Sequence, residues 1–206
     1  MYERKHWQAI GLRALVAAMA LTVAAPLLAQ DATPADAKDE AKNEPMSYDK
    51  ARRAAEASLR LHPGTDSQYD YRPLWAGNAD LDGDGRPEII YLYTATQTGS
   101  AMQPNELVVM TPLAEGDARG QAASPGKSAY DDETYALIRA SGYADDAAVH
   151  IPGEMETITM DGDRIRVTFN STRTSKLCVR GKVVCPPEGQ HAWVYRWTPG
   201  KLTRAE

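Results

Sequence analysis

The sequence predicts an α+β fold, an antiparallel sheet of about six to eight strands with one or two helices in a single domain. Three observations lead there. Apolar residues recur at helical spacing between Ala51 and Leu59. From Tyr69 onward, short apolar segments are separated by Gly, Pro and Asp, the punctuation of strands and turns. Residues 47–206 are also long enough to enclose one hydrophobic core.

Ser47 offers a helix N-cap, with Asp49 favourable in the first turn. Ala51, Ala54, Ala55, Ser58 and Leu59 make a thin, alanine-rich face suited to lying close on a sheet, and His62-Pro63-Gly64 stops the run. Strands are expected at Arg72–Ala76, at Glu88–Thr94 and at Glu106–Met110, the last ended by Pro112. Ile89–Tyr93 alternates poorly, which marks a strand buried on both faces. Residues 114–130 are rich in Gly, Ala, Ser and Pro and read as a mobile loop. Asp131–Ala140 reads as a short helix with acids at its N-terminus. Glu154–Met160 and Arg164–Phe169 flank Asp161-Gly162, a type I′ hairpin signal, and a last hairpin, Ala192–Trp197 with Leu202–Arg204, turns at Pro199-Gly200. Trp193, Tyr195 and Trp197 share one strand face, which serves as core or, if exposed, as a grip for glycan or peptide.

Asp80 to Leu92 carries the most specific chemistry. Asp80, Asp82 and Asp84 alternate, Gly83 and Gly85 permit a tight turn, and Glu88 follows. Carboxylates this close repel unless a cation neutralises them, and a dense set of hard oxygens suits Ca²⁺ rather than zinc. Without a cation the segment is a solvated acidic turn. An EF-hand would need Glu at the twelfth position, where Tyr91 stands. The segment resembles the D-x-D-x-D-G calcium loops of FG-GAP and VCBS-type repeats, which precede a strand. That resemblance implies Ca²⁺ held by Asp80, Asp82, Asp84, the Arg86 carbonyl and Glu88, the last standing where the family more often has Asp. The loop (residues 80–88) occurs once, which excludes a propeller built from repeated blades.

Arg4, Lys5 and Arg13 precede an uncharged stretch, Ala14–Ala29, too short to span a membrane, so residues 1–29 read as a signal peptide cleaved after Ala29. Residues 30–46 are Ala, Asp, Glu, Lys and Pro with little to bury, a disordered tether. The only cysteines are Cys178 and Cys185. A two-residue turn at Gly181-Lys182 places Cys178 opposite Cys185, within disulfide reach, and closing that loop adds about 2.5 kcal/mol by chain entropy. A disulfide and a weak calcium site both suit an exported, periplasmic protein, with full secretion as the alternative. Residues 1–29 carry Glu3, Arg4, Lys5 and Arg13, so their removal takes the net charge from −5 to −7. That charge disfavours nucleic acid and anionic membrane as partners, and no membrane insertion follows cleavage.

No nucleophile elbow, P-loop or zinc-protease pattern is present. His62, His150 and His191 share no ligand spacing, Ser141 and Ser175 are isolated, and Asp131/Asp132 and Asp145/Asp146 read as helix starts and turns. The expectation is a non-enzymatic calcium-binding domain, its ion structural, acting on an envelope protein or a glycan. The alternatives are an envelope hydrolase acting on peptidoglycan or glycan, and a protein inhibitor of such an enzyme.

Overall fold

The computed structural model describes residues 46–62, 72–95, 102–178 and 185–205. The proposed signal peptide, all of the tether but Met46, the Pro63-Gly64 stop and the Gly181-Lys182 turn lie outside them. The elements run α1 (Tyr48–Leu59), β1 (Trp75–Ala79), β2 (Glu88–Thr94), β3 (Asn105–Pro112), α2 (Ala129–Ser141), β4 (Tyr143–His150), β5 (Glu154–Asp161), β6 (Arg164–Ser171), β7 (Gly189–Thr198) and β8 (Lys201–Arg204). All strand pairs are antiparallel. The fold is α+β as expected, with its eight strands divided into two four-stranded sheets, β1-β2-β3-β4 and β5-β6-β7-β8.

The two sheets pack face to face. Ile90, Leu92, Leu107 and Val109 from the first meet Ile165, Val167, Phe169, Tyr195 and Trp197 from the second. The other face of the first sheet carries Ile89, Tyr91, Tyr93, Val108 and Met110, and α1 covers it with Ala51, Ala54, Ala55 and Leu59. Small alanines let the helix axis approach the sheet closely. β2 is therefore sandwiched between a helix and a second sheet, which explains its lack of alternation. Each large aliphatic side chain sealed in this way contributes roughly 1.5–3 kcal/mol relative to exposure.

Both helices begin as their residues dictate, and α2 also ends so. The Lys50 N–H donates to Ser47 Oγ at the start of α1. In α2, Ser128 Oγ accepts from Asp131 N–H, and Gly142 closes the helix in the left-handed region at φ 75°. The core reading of the aromatic stripe holds for Tyr195 and Trp197, which are buried, while Trp193 packs at the edge under the Arg204 guanidinium, 4.4 Å from the ring centroid.

Four expectations need correction. β1 starts three residues later than Arg72, because Pro73 lacks an N–H and pairing opens with Leu74 N–H donating to Leu92 O. Asp145 and Asp146 lie within β4 instead of a turn. Ala144 and Ala147 bury there, and a bulge opposite Val109/Met110 leaves Asp146 as the extra residue. The β5–β6 turn centres on Gly162-Asp163, since Asp161 pairs with Arg164. Residues 114–130 hold a 3₁₀ turn, Ala118–Gly120, tied down by Arg119 to Thr111 Oγ1 at 2.7 Å and by Arg139 to Gly120 O at 2.9 Å.

Asp146 links the layers. Its carboxylate accepts from Trp197 Nε1–H at 3.0 Å and from Gly200 N–H at 2.6 Å, and Arg119 stands 3.6 Å away. This ties β4 of one sheet to the β7–β8 hairpin of the other. Where β4 hands the chain to β5, Gly153 passes so close to β6 that a Cβ would sit 2.5 Å from Asn170 O. Asn105 donates to Ile151 O and to Gly153 O across the same corner.

Candidate metal centre

Ala79 pairs with Glu88, so residues 80–87 form a closed loop between β1 and β2. Leu81 drops into the inter-sheet core and pins the loop, while Asp80, Asp82 and Asp84 stay exposed. The loop winds on its own carboxylates. Asp80 accepts from Gly83 N–H at 2.8 Å and Gly85 N–H at 3.0 Å, Asp82 from Asp84 N–H at 3.0 Å, and Asp84 from Arg86 N–H at 2.7 Å. Gly83 and Gly85 take φ 77° and 83°, which an L side chain rarely adopts.

Asp80, Asp82 and Glu88 each point an oxygen into one region, all within 4.8 Å of one another. Ligands on opposite sides of a calcium ion at 2.3–2.6 Å stand roughly 5 Å apart, so the three oxygens fit around one such ion. Asp84 lies outside this group. Glu88 is the buried member, 2 % exposed, and Leu81 N–H donates to its Oε2 at 2.8 Å. Burial pushes its carboxyl up to about 7; the Leu81 N–H opposes the rise, and the charges of Asp82 and Asp84 add to it. A cation among these oxygens would favour the ionised form. Tyr143 braces the exit of the loop, its hydroxyl donating to Pro87 O at 3.0 Å.

The other named residues have structural partners. Cys178 and Cys185 form a disulfide with Cα atoms 5.5 Å apart. His150 Nε2 lies 2.6 Å from Leu177 O and His191 Nε2 2.7 Å from Pro187 O. Ser141 Oγ donates to Ile138 O, and Ser175 Oγ accepts from Leu177 N–H. Asp131 and Asp132 begin α2, as expected.

One cluster escaped sequence reasoning. His62, beyond the end of α1, lies 3.3 Å from Asp145 of β4, and Tyr93 Oη lies 3.3 Å from the other ring nitrogen. Tyr91 donates to Asp145 at 3.1 Å and Tyr93 to Glu106 at 2.9 Å. Burial, with Asp145 beside it, holds the Tyr91 hydroxyl well above its ordinary range. The available signal was two tyrosines, two residues apart, in an otherwise apolar strand. These part-buried groups hydrogen-bond one another where α1, β2, β3 and β4 meet.

Fold and loop together define a class: a three-layer α+β domain, one helix and two sheets deep, with an acidic loop able to hold a metal ion. Compared with protein-family models, with curated proteins and with solved structures, the chain shows no match.

Proposed function

We propose that this chain is an exported, periplasmic calcium-binding domain without catalytic activity, whose ion is structural and whose work is binding at the cell envelope. The observation that carries this is the convergence of Asp80, Asp82 and Glu88 oxygens in a loop wound on its own carboxylates. These three would hold Ca²⁺, with Asp84 and the Arg86 carbonyl completing the shell as in the resembling loops. Bound there, Ca²⁺ supplies charge neutralisation and stiffens the β1–β2 connection. Export is supported by the Cys178–Cys185 disulfide, which suits an oxidising compartment. No helix among the described residues is long and apolar enough to cross a membrane. A non-enzymatic role is supported by His150, His191, Ser141 and Ser175, each engaged with backbone groups.

Thermal unfolding in EDTA and in millimolar Ca²⁺ tests the proposal. Calcium should raise the melting temperature of the wild type and leave Asp82→Ala unchanged, since a ligand specific to the folded state stabilises it. No rise in the wild type would reduce the loop to an acidic turn.

A further inference from the structure

Of the three candidate ligands, only Glu88 is placed from outside the loop's own turn. Asp80 and Asp82 are exposed and hold backbone N–H groups of that turn, whereas Glu88 opens β2 and is 2 % exposed. A buried carboxylate is costly unless a cation or several donors meet its charge. Glu88 accepts from the Leu81 N–H, a neutral donor, and no salt bridge reaches it among the described residues. Its charge is left for an ion to meet. Where its oxygens stand decides how well that ion also reaches Asp80 and Asp82.

Two contacts fix this place from opposite faces of the first sheet. Ile89 turns to α1 and Ile90 to the second sheet, so alternation turns Glu88 toward the second sheet with Ile90. There Leu81, seated in the inter-sheet core, directs its N–H at the carboxylate. The residue before, Pro87, has a fixed φ and no N–H, so its carbonyl is the backbone group by which the rest of the protein can hold it. That carbonyl accepts from the Tyr143 hydroxyl at 3.0 Å. Tyr143 packs among the residues that α1 covers. It opens β4, two strands from β2 in the sheet order and directly after Gly142, the cap of α2. Burial pushes the pKa of its hydroxyl up, Arg86 opposes the rise, and Glu88 and Asp84 add to it, so the hydroxyl keeps its proton and stays a donor.

We infer that Tyr143 is a positioning residue for the metal ion, its hydroxyl setting the place of the Glu88 carboxylate through the Pro87 carbonyl. The inference rests on the calcium site proposed above and names a residue that sets its affinity, 56 positions along the chain from Pro87 at the junction of α2 and β4. The Pro87 carbonyl and the Glu88 nitrogen belong to one planar peptide, so a hydrogen bond to that carbonyl fixes the plane from which the Glu88 side chain departs. Ligand groups held in place in advance bind more tightly, because less has to be ordered on binding. Packing under α1 needs only the ring, which phenylalanine would also supply. The hydroxyl serves the loop.

The test titrates the metal-free full chain with Ca²⁺ by calorimetry, as wild type, Tyr143→Phe and Tyr93→Phe. Tyr143→Phe keeps the ring and removes one hydrogen bond, so its dissociation constant should rise roughly fivefold, the equivalent of about 1 kcal/mol. Tyr93→Phe removes a hydroxyl that donates to Glu106 at 2.9 Å in the same sheet, and should lower the melting temperature at an unchanged dissociation constant. A merely structural Tyr143 hydroxyl would cost the same stability in EDTA and in Ca²⁺ and leave the dissociation constant where it was. A second readout needs no variant: in the wild type, Ca²⁺ should shift the ring resonances of Tyr143 and leave those of exposed Tyr48 and Tyr130 in place. The inference is overturned if the wild type binds Ca²⁺ and Tyr143→Phe binds it equally well, if both tyrosine variants weaken binding alike, or if the Tyr143 resonances stay in place. Absence of saturable binding by the wild type overturns the calcium site and this inference with it.

Discussion

Replacing Glu88 with Gln should stabilise the metal-free protein and lose most of that advantage when calcium is present. Without metal, the native state must hold a buried carboxyl whose pKa is pushed up from 4.5 to about 7. For an acid raised in this way, the folded state binds more protons than the unfolded state between the two values, so stability falls as pH rises through that window. Above about pH 7 the full penalty applies, up to about 3 kcal/mol for a shift of this size. Gln keeps an acceptor for the Leu81 N–H and carries no charge. In EDTA at about pH 8, Glu88→Gln should therefore be the more stable protein, and the loss of stability from about pH 5 to 7 should be missing from it. Calcium works the other way. At concentrations some fifty times a dissociation constant near 10⁻⁴ M it adds roughly 2 kcal/mol to the wild type, and less to a variant lacking one anionic ligand. Calcium should thus erase most of the variant's advantage. Urea denaturation at both pH values, with EDTA or Ca²⁺, measures all of these terms. Parallel pH profiles for the two proteins in EDTA, or a Gln variant less stable than wild type there, would refute the reasoning.

Asp146→Ala should cost about 2–3 kcal/mol in urea denaturation, because it strands the Trp197 indole N–H and the Gly200 N–H that it now receives; a loss below about 0.5 kcal/mol would show that water replaces it. The Arg119 guanidinium holds the Asp117 carboxyl down to about 2. A depressed acid stabilises the fold above its unfolded pKa and loses that contribution as pH falls toward the folded value, so Asp117→Asn should flatten the acid limb of stability between about pH 4 and 2. An unchanged limb would count against the pair. Serine at both Cys178 and Cys185 should lower stability by about 2–3 kcal/mol, with wild type plus reductant matching the double variant.

Locally encoded features were legible in the sequence. Ser47 and Ser128 cap their helices by hydrogen bonds three residues long, and β2 keeps its bounds because the apolar run Ile89–Tyr93 follows directly on a glycine-rich loop. The convergence of Asp80, Asp82 and Glu88 was legible for the same reason, since the loop's aspartates bond backbone groups two to five residues away. What depended on distant partners was hidden. The Asp145-Asp146 pair looks like a turn until β3 supplies the strand beside it and forces the bulge. His62 meets Asp145 across 83 residues, and Asp146 meets Gly200 across 54. Nor does alternation distinguish one broad sheet from two stacked ones, because each strand still has an inner and an outer face.

Isothermal titration of the metal-free protein with Ca²⁺ tests the central claim most directly. One ion per chain should bind, with a dissociation constant of roughly 10⁻⁴–10⁻³ M, and Asp82→Ala should abolish the heat while retaining the fold by circular dichroism. Absence of saturable binding, or binding undiminished in Asp82→Ala, would contradict the calcium site formed by Asp80, Asp82 and Glu88.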